Sequence, residues 1–109
     1  RNYIHVRDVS RAFIYSIENY KKFQSQIFNH GLSNANLTKL KLCLEIKKII
    51  KNFKIITKDY KKDPDKRNYK VSNKKLENTG FRNIYSLQDG IKELINYFNL
   101  FRVDNSSNI

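Results

Sequence analysis

The sequence predicts a small α/β chain with its elements in the order β-α-β-α-β-α-α. Three observations lead there. Short β-favourable runs at residues 3–6, 26–29 and 54–60 alternate with longer helical patterns. The helical segments repeat apolar residues at three- and four-residue spacing and carry cap residues near their ends. The length, 109 residues, suffices for one small domain and not for two.

Tyr3-Ile4-His5-Val6 alternates in the manner of a strand. Asp8 then offers an N-cap for a helix over 9–20, with Val9, Ala12, Phe13 and Ile17 on one face. Gln26-Ile27-Phe28-Asn29 reads as a second strand, stopped by His30-Gly31, and Asn36 is placed to cap the next helix. That helix, over 37–53, is the longest. At about 100° per residue, Leu42, Cys43, Ile46, Ile49, Ile50 and Phe53 form one broad stripe. Leu37, Leu40 and Leu44 fall almost opposite. A second apolar stripe means either a sandwiched helix whose other partner is absent from the chain, or a loop of this chain folded over the leucines. Cys43, on the main stripe, reads as a buried core thiol and not a reactive one.

Residues 54–60, with Ile55-Ile56-Thr57 at the centre, read as the third strand, and 61–67 form a charged loop around Asp63-Pro64-Asp65. A short helix follows with full punctuation. Ser72 caps it, Val71 and Leu76 can form a hydrophobic staple, Gly80 suits the left-handed C′ position, and Phe81 can fold back on Leu76. Ser86-Leu87-Gln88-Asp89 is a capping box with Asp in place of Glu. It opens a helix to about 101 with Leu87, Ile91, Leu94, Ile95, Phe98 and Phe101 on one face. Residues 102–109 are a polar, frayed tail.

Composition narrows the classes. With 39% hydrophobic and 13% aromatic residues the chain is not disordered. Its lone cysteine excludes an internal disulfide framework. No apolar run approaches about 18 residues, so no membrane span is expected. No secretory signal is visible, and a reducing, cytoplasmic setting fits. Arg1 leads straight into the first β-favourable run, so a further segment is expected upstream.

The formal charge is +12, and the excess is central: residues 39–57 and 58–75 each carry +5, whereas 84–109 carry −1. Sixteen of the 22 basic residues are Lys, in a chain also rich in Asn, Ile, Tyr and Phe. All of these have AT-rich codons, so solvated lysine faces account for much of the charge. No helix-turn-helix, zinc-finger spacing or RNA-binding aromatic motif accompanies it, and nucleic acid is not the expected partner.

No complete catalytic constellation is present. His5 and His30 are far apart, no second Cys supports a metal site, and glycines at 31, 80 and 90 cannot build a Gly-rich phosphate loop. One group suggests a ligand. Lys61, Lys62, Lys66, Arg67 and Lys70 surround a Pro-containing connection that includes Asp65, and Arg1 opens the first β-favourable run. Cations beside a carboxylate suit a diphosphate joined to a hydroxylated sugar; a solvated basic loop has the same composition.

The segment Arg1-Asn2-Tyr3-Ile4-His5-Val6-Arg7-Asp8-Val9-Ser10-Arg11-Ala12 resembles the R-D-Y-I-H-V-x-D-V-A-x-A segment of NAD-dependent nucleotide-sugar epimerases and dehydratases, which are extended short-chain dehydrogenases. Similar segments follow in family order. Ile27-Phe28-Asn29-His30-Gly31 is similar to the F-N-V-G strand, and 37–50 to the helix after it. Lys62-Asp63-Pro64-Asp65-Lys66-Arg67-Asn68-Tyr69-Lys70-Val71-Ser72 resembles R-P-G-D-x-R-x-Y-x-x-S/D. Leu76-Glu77-Asn78-Thr79-Gly80-Phe81 looks like L-x-x-L-G-F/W, and 86–91 like S-L-E-D-G-I.

The resemblance spans residues 1 to about 101 and implies the C-terminal, substrate-binding part of such an enzyme. The cofactor-binding Rossmann part, with its Gly-rich turn and Tyr-x-x-x-Lys pair, would lie upstream and hold NAD or NADP. No Tyr here is followed four residues later by Lys, so the fragment itself is not expected to catalyse. By position, Arg1 matches an arginine on the nucleotide diphosphate and Asn29 an asparagine near the nucleotide. Lys62 stands where a diphosphate-binding arginine is usual, Asp65 near the ribose, and Arg67 where further basic residues occur. Lys62 departs from the family pattern, since lysine lacks the bidentate fork. The implied ligand is a nucleotide-diphosphate sugar, in sugar-nucleotide or surface-polysaccharide biosynthesis, with Leu37, Leu40 or Leu44 meeting the upstream part and a homodimer of the full-length chain possible. The competing expectation is a stand-alone basic module that binds nucleic acid or another protein.

Overall fold

The computed structural model describes residues 1–57 and 69–101. About half of these are helical, in α1 (Val6–Glu18), α2 (Tyr20–Phe23), α3 (Lys39–Ile49), α4 (Lys74–Glu77) and α5 (Leu87–Phe101). No helix among the described residues is long and apolar enough to cross a membrane.

The expected strands do not form among the described residues. The first run pairs antiparallel with 35–37, but only briefly. Arg1 and Leu37 exchange backbone hydrogen bonds of 2.9 and 2.8 Å, and the Tyr3 amide donates to the Ala35 carbonyl at 3.2 Å. Around the Asn2–Asn36 bridge this makes one short ladder, after which the chain enters α1 at Val6, three residues earlier than the expected start at 9. Residues 26–29 are extended but join no sheet; the Lys75 ammonium occupies the Ile27 carbonyl at 2.9 Å, and Ile27 is 87% exposed. Residues 54–57 also form no strand, and 58–60 lie outside the described residues. A β-favourable run becomes a strand only when another edge completes its hydrogen bonds, and here no such edge is supplied. The described residues are thus about half helical with almost no strand, and they do not by themselves form the expected α/β sheet.

Asparagine side chains do what a sheet would have done. The Asn2 amide donates to the Leu32 carbonyl and accepts from the Leu32 amide, at 2.9 and 3.0 Å. Asn36 makes the same two-point contact with Val71, at 3.0 and 2.9 Å. Each side chain imitates one rung of a ladder and ties the 31–37 loop to a distant segment. Gly31 is required there, because a Cβ on it would stand 1.6 Å from the Asn2 carboxamide oxygen.

The helix ends follow local chemistry, with three corrections. The N-cap of α1 is His5, whose ring accepts from the Arg7 amide at 3.2 Å. Asp8 is instead buried. Thr38, not Asn36, caps α3, and Asn73, not Ser72, precedes α4. Two expectations are met. Ser86 and Asp89 form a reciprocal box, each accepting the other's amide proton at 3.1 and 2.8 Å. Gly80 takes a φ of +101° at the end of the α4 turn.

The core is small: Ala35, Leu76, Phe81 and Ile91 are its buried apolar residues among those described. Phe81 lies among Arg11, Tyr15 and His30, with Tyr15 and His30 ring centroids 5.5 and 5.3 Å away. The amphipathic pattern of α1 is oriented against expectation. Asp8 and Tyr15 face inward, while Phe13 and Ile17 are 68% and 75% exposed. Cys43 is half-buried, not fully enclosed.

Candidate functional site

Arg1 is positioned by its backbone exchange with Leu37 and by Tyr69. Its guanidinium donates to the Tyr69 hydroxyl at 3.2 Å and lies 5.5 Å from that ring's centroid. Tyr69 ends the stretch in which the sequence places Lys62, Asp65 and Arg67, so Arg1 stands where that stretch rejoins the described residues. Lys62, Asp65 and Arg67 themselves lie outside the described residues. Asn29 is exposed on the 26–30 segment, which is anchored through Lys75 and through a 2.9 Å contact of His30 with Asn83. The structure therefore brings Arg1 against Tyr69 and places Asn29 on a separately anchored segment.

A second feature escaped the sequence reading. A cleft of about 480 Å³ opens between residues 3–6, α3 and α5, lined by Ile4, Leu42, Ile46, Leu87, Ile91 and Leu94 among others. Its volume falls in the small-molecule range of about 300–1,000 Å³. Its polar lining residues are Tyr3, His5, Ser86 and Glu93. His5 stacks on Tyr85 with centroids 4.4 Å apart, and its Nε2 lies 3.1 Å from Glu93. Because Nδ1 accepts the Arg7 amide, the neutral ring carries its proton on Nε2 and donates it to Glu93. Arg7 binds the other Glu93 oxygen at 3.1 Å. The cluster fastens the start of α1 to α5. Its members are 86 and 88 residues apart, so no local pattern in the sequence announced it.

Asp8 is the other concentrated charge. It is fully buried and accepts from the Tyr85 and Ile84 amides at 3.0 and 3.2 Å and from Arg11 at 2.6 Å. Burial pushes its carboxyl up, but those donors together outweigh burial and hold it below the usual aspartate value. Among the described residues, no group of three or more His, Cys, Asp or Glu side chains could hold a metal.

The chain's own glycines do not fit a dinucleotide. Gly31 is wedged against Asn2, Gly80 ends the α4 turn, and Gly90 lies inside α5. None sits in a phosphate-cradling turn that opens a helix, so no redox step is assigned to these residues. No protein-family model matches the chain.

Proposed function

We propose that this chain is the nucleotide-sugar-binding part of an NAD-dependent epimerase or dehydratase. In that reading the chain belongs to the α/β class of the extended short-chain dehydrogenases, and an upstream Rossmann part supplies its sheet, its NAD or NADP and its catalytic pair. The 109 residues bind and orient the substrate; the chemistry belongs to the whole enzyme. Arg1 and Lys62 pair with the diphosphate, Arg67 adds positive charge, Asp65 accepts from the ribose hydroxyls, and Asn29 lies near the nucleotide. The observation that supports the reading is the seat of Arg1 on Tyr69, a residue that follows Lys62, Asp65 and Arg67 closely in the sequence.

The test is calorimetric titration of the intact chain and of Arg1→Ala with UDP, GDP, CDP and dTDP. One of the four should bind, and the variant should bind it at least ten-fold more weakly with unchanged thermal unfolding. Equal affinity for both proteins would remove Arg1 from the site. The competing reading, a basic module for nucleic acid, draws on the +12 charge. It requires affinity for oligonucleotide that collapses with added salt.

A further inference from the structure

The outward side of α3 combines two features that charge alone does not explain. Leu40 and Leu44, one helical turn apart, are 52% and 46% exposed, although Leu42 and Ile46 of the same helix line the cleft against α5. At about 100° per residue, Lys47 flanks the leucine pair on one side and Lys41 and Lys48 on the other. All three lysines are exposed. The only acid of the helix, Glu45, accepts from Lys48 at 2.5 Å and from Gln88 of α5 at 3.2 Å, so Lys41 and Lys47 carry the charge that frames the leucines. The result is an apolar pair framed by ammonium groups, whose aliphatic stems widen the apolar area.

We propose that this face docks an acidic amphipathic helix of a partner protein, with leucine-like residues seated on Leu40 and Leu44 and carboxylates on the flanking lysines. The occupant follows from complementarity. A second copy of this chain would set lysine against lysine. A phosphate backbone would meet the lysines and leave the leucines wet, since its affinity comes from counterion release. A bilayer calls for a broader apolar face than two leucines on an 11-residue helix. An acidic helix with apolar residues at i and i+4 meets both the charge and the apolar pair. This inference does not use the nucleotide site, and it replaces the seating of the upstream part on Leu40 and Leu44 that the resemblance implies with a helix of a separate partner.

The test uses the full chain, labelled with ¹⁵N, and a synthetic amphipathic peptide of glutamate, alanine and leucine. The peptide should shift the amide signals of Leu40, Leu44 and Lys47. A serine-for-leucine version of it should bind at least ten-fold more weakly. In the chain, Lys41→Glu with Lys47→Glu should lose the glutamate peptide by at least ten-fold and gain affinity for its lysine counterpart. The proposal is overturned if the two glutamate peptides bind equally, or if their contacts map away from α3. It is also overturned if single-stranded DNA or phosphatidylserine vesicles occupy the same residues more tightly. The peptide comparison on the unaltered chain decides the matter even where a variant does not fold.

Discussion

Removing the Asp8 carboxylate leaves the amides of Ile84 and Tyr85 without their acceptor in a site with no water access. Asp8→Ala should therefore destabilise the chain by on the order of 3 kcal/mol, read from urea unfolding at neutral pH. The pH dependence has a definite sign. The folded pKa of Asp8 lies below its ordinary value, so its stabilisation is complete above about 3.9, the unfolded aspartate pKa. It is lost as pH falls through the folded pKa. Asp89, held down by the Ser86 hydroxyl and amide, and Glu45, held down by Lys48, change in the same acid range. Unfolding midpoints measured from pH 7 to 3 should fall for the parent chain and fall less for Asp8→Asn. Equal acid sensitivity in the two would contradict the role given to Asp8. Gly31→Ala gives a steric counterpart. Its Cβ must displace the Asn2 side chain and break both contacts with Leu32, for a loss of about 1–3 kcal/mol.

At the scale of elements, what the sequence disclosed was what neighbours in the chain decide. The Ser86–Asp89 box and the left-handed Gly80 depend on residues within one turn, and both were legible. Ser86→Ala should cost about 1 kcal/mol and shorten the start of α5, visible as faster amide exchange over its first turn. The strands were not legible because a strand is a relation between two segments. Residues 26–29 have strand composition and no described partner edge. The periodicity of α1 was legible, but its orientation was not. Asp8 turns inward because its acceptor sites match amides 76 and 77 residues away, and that choice turns Phe13 and Ile17 outward. Phe13→Ser combined with Ile17→Ser should accordingly shift stability by no more than about 0.5 kcal/mol each. A core placement of the same residues would cost about 2–5 kcal/mol each.

For the whole molecule, four buried apolar residues among those described are few beside the many large apolar side chains left exposed. The exposed side chains lie largely on α1, α3 and α5, and large apolar patches commonly mark contact with protein, membrane or ligand. The candidate site was only partly legible. Arg1 is proposed from its motif, and its seat on Tyr69 depends on a contact across 68 residues. The cleft and its His5–Glu93–Arg7 rim depend on contacts between chain ends, and composition gave no sign of them.

The central claim is that the ligand is a nucleoside diphosphate sugar and not a polyanion. Its most direct test is competitive binding of the intact chain to UDP-, GDP-, CDP- and dTDP-linked sugars against a random oligonucleotide, at low salt and at a several-fold higher concentration. The account predicts that one nucleotide-sugar class binds better than the oligonucleotide and keeps most of its affinity as salt rises. Tight oligonucleotide binding that falls by orders of magnitude with salt, with no preference among the nucleotide sugars, would contradict it.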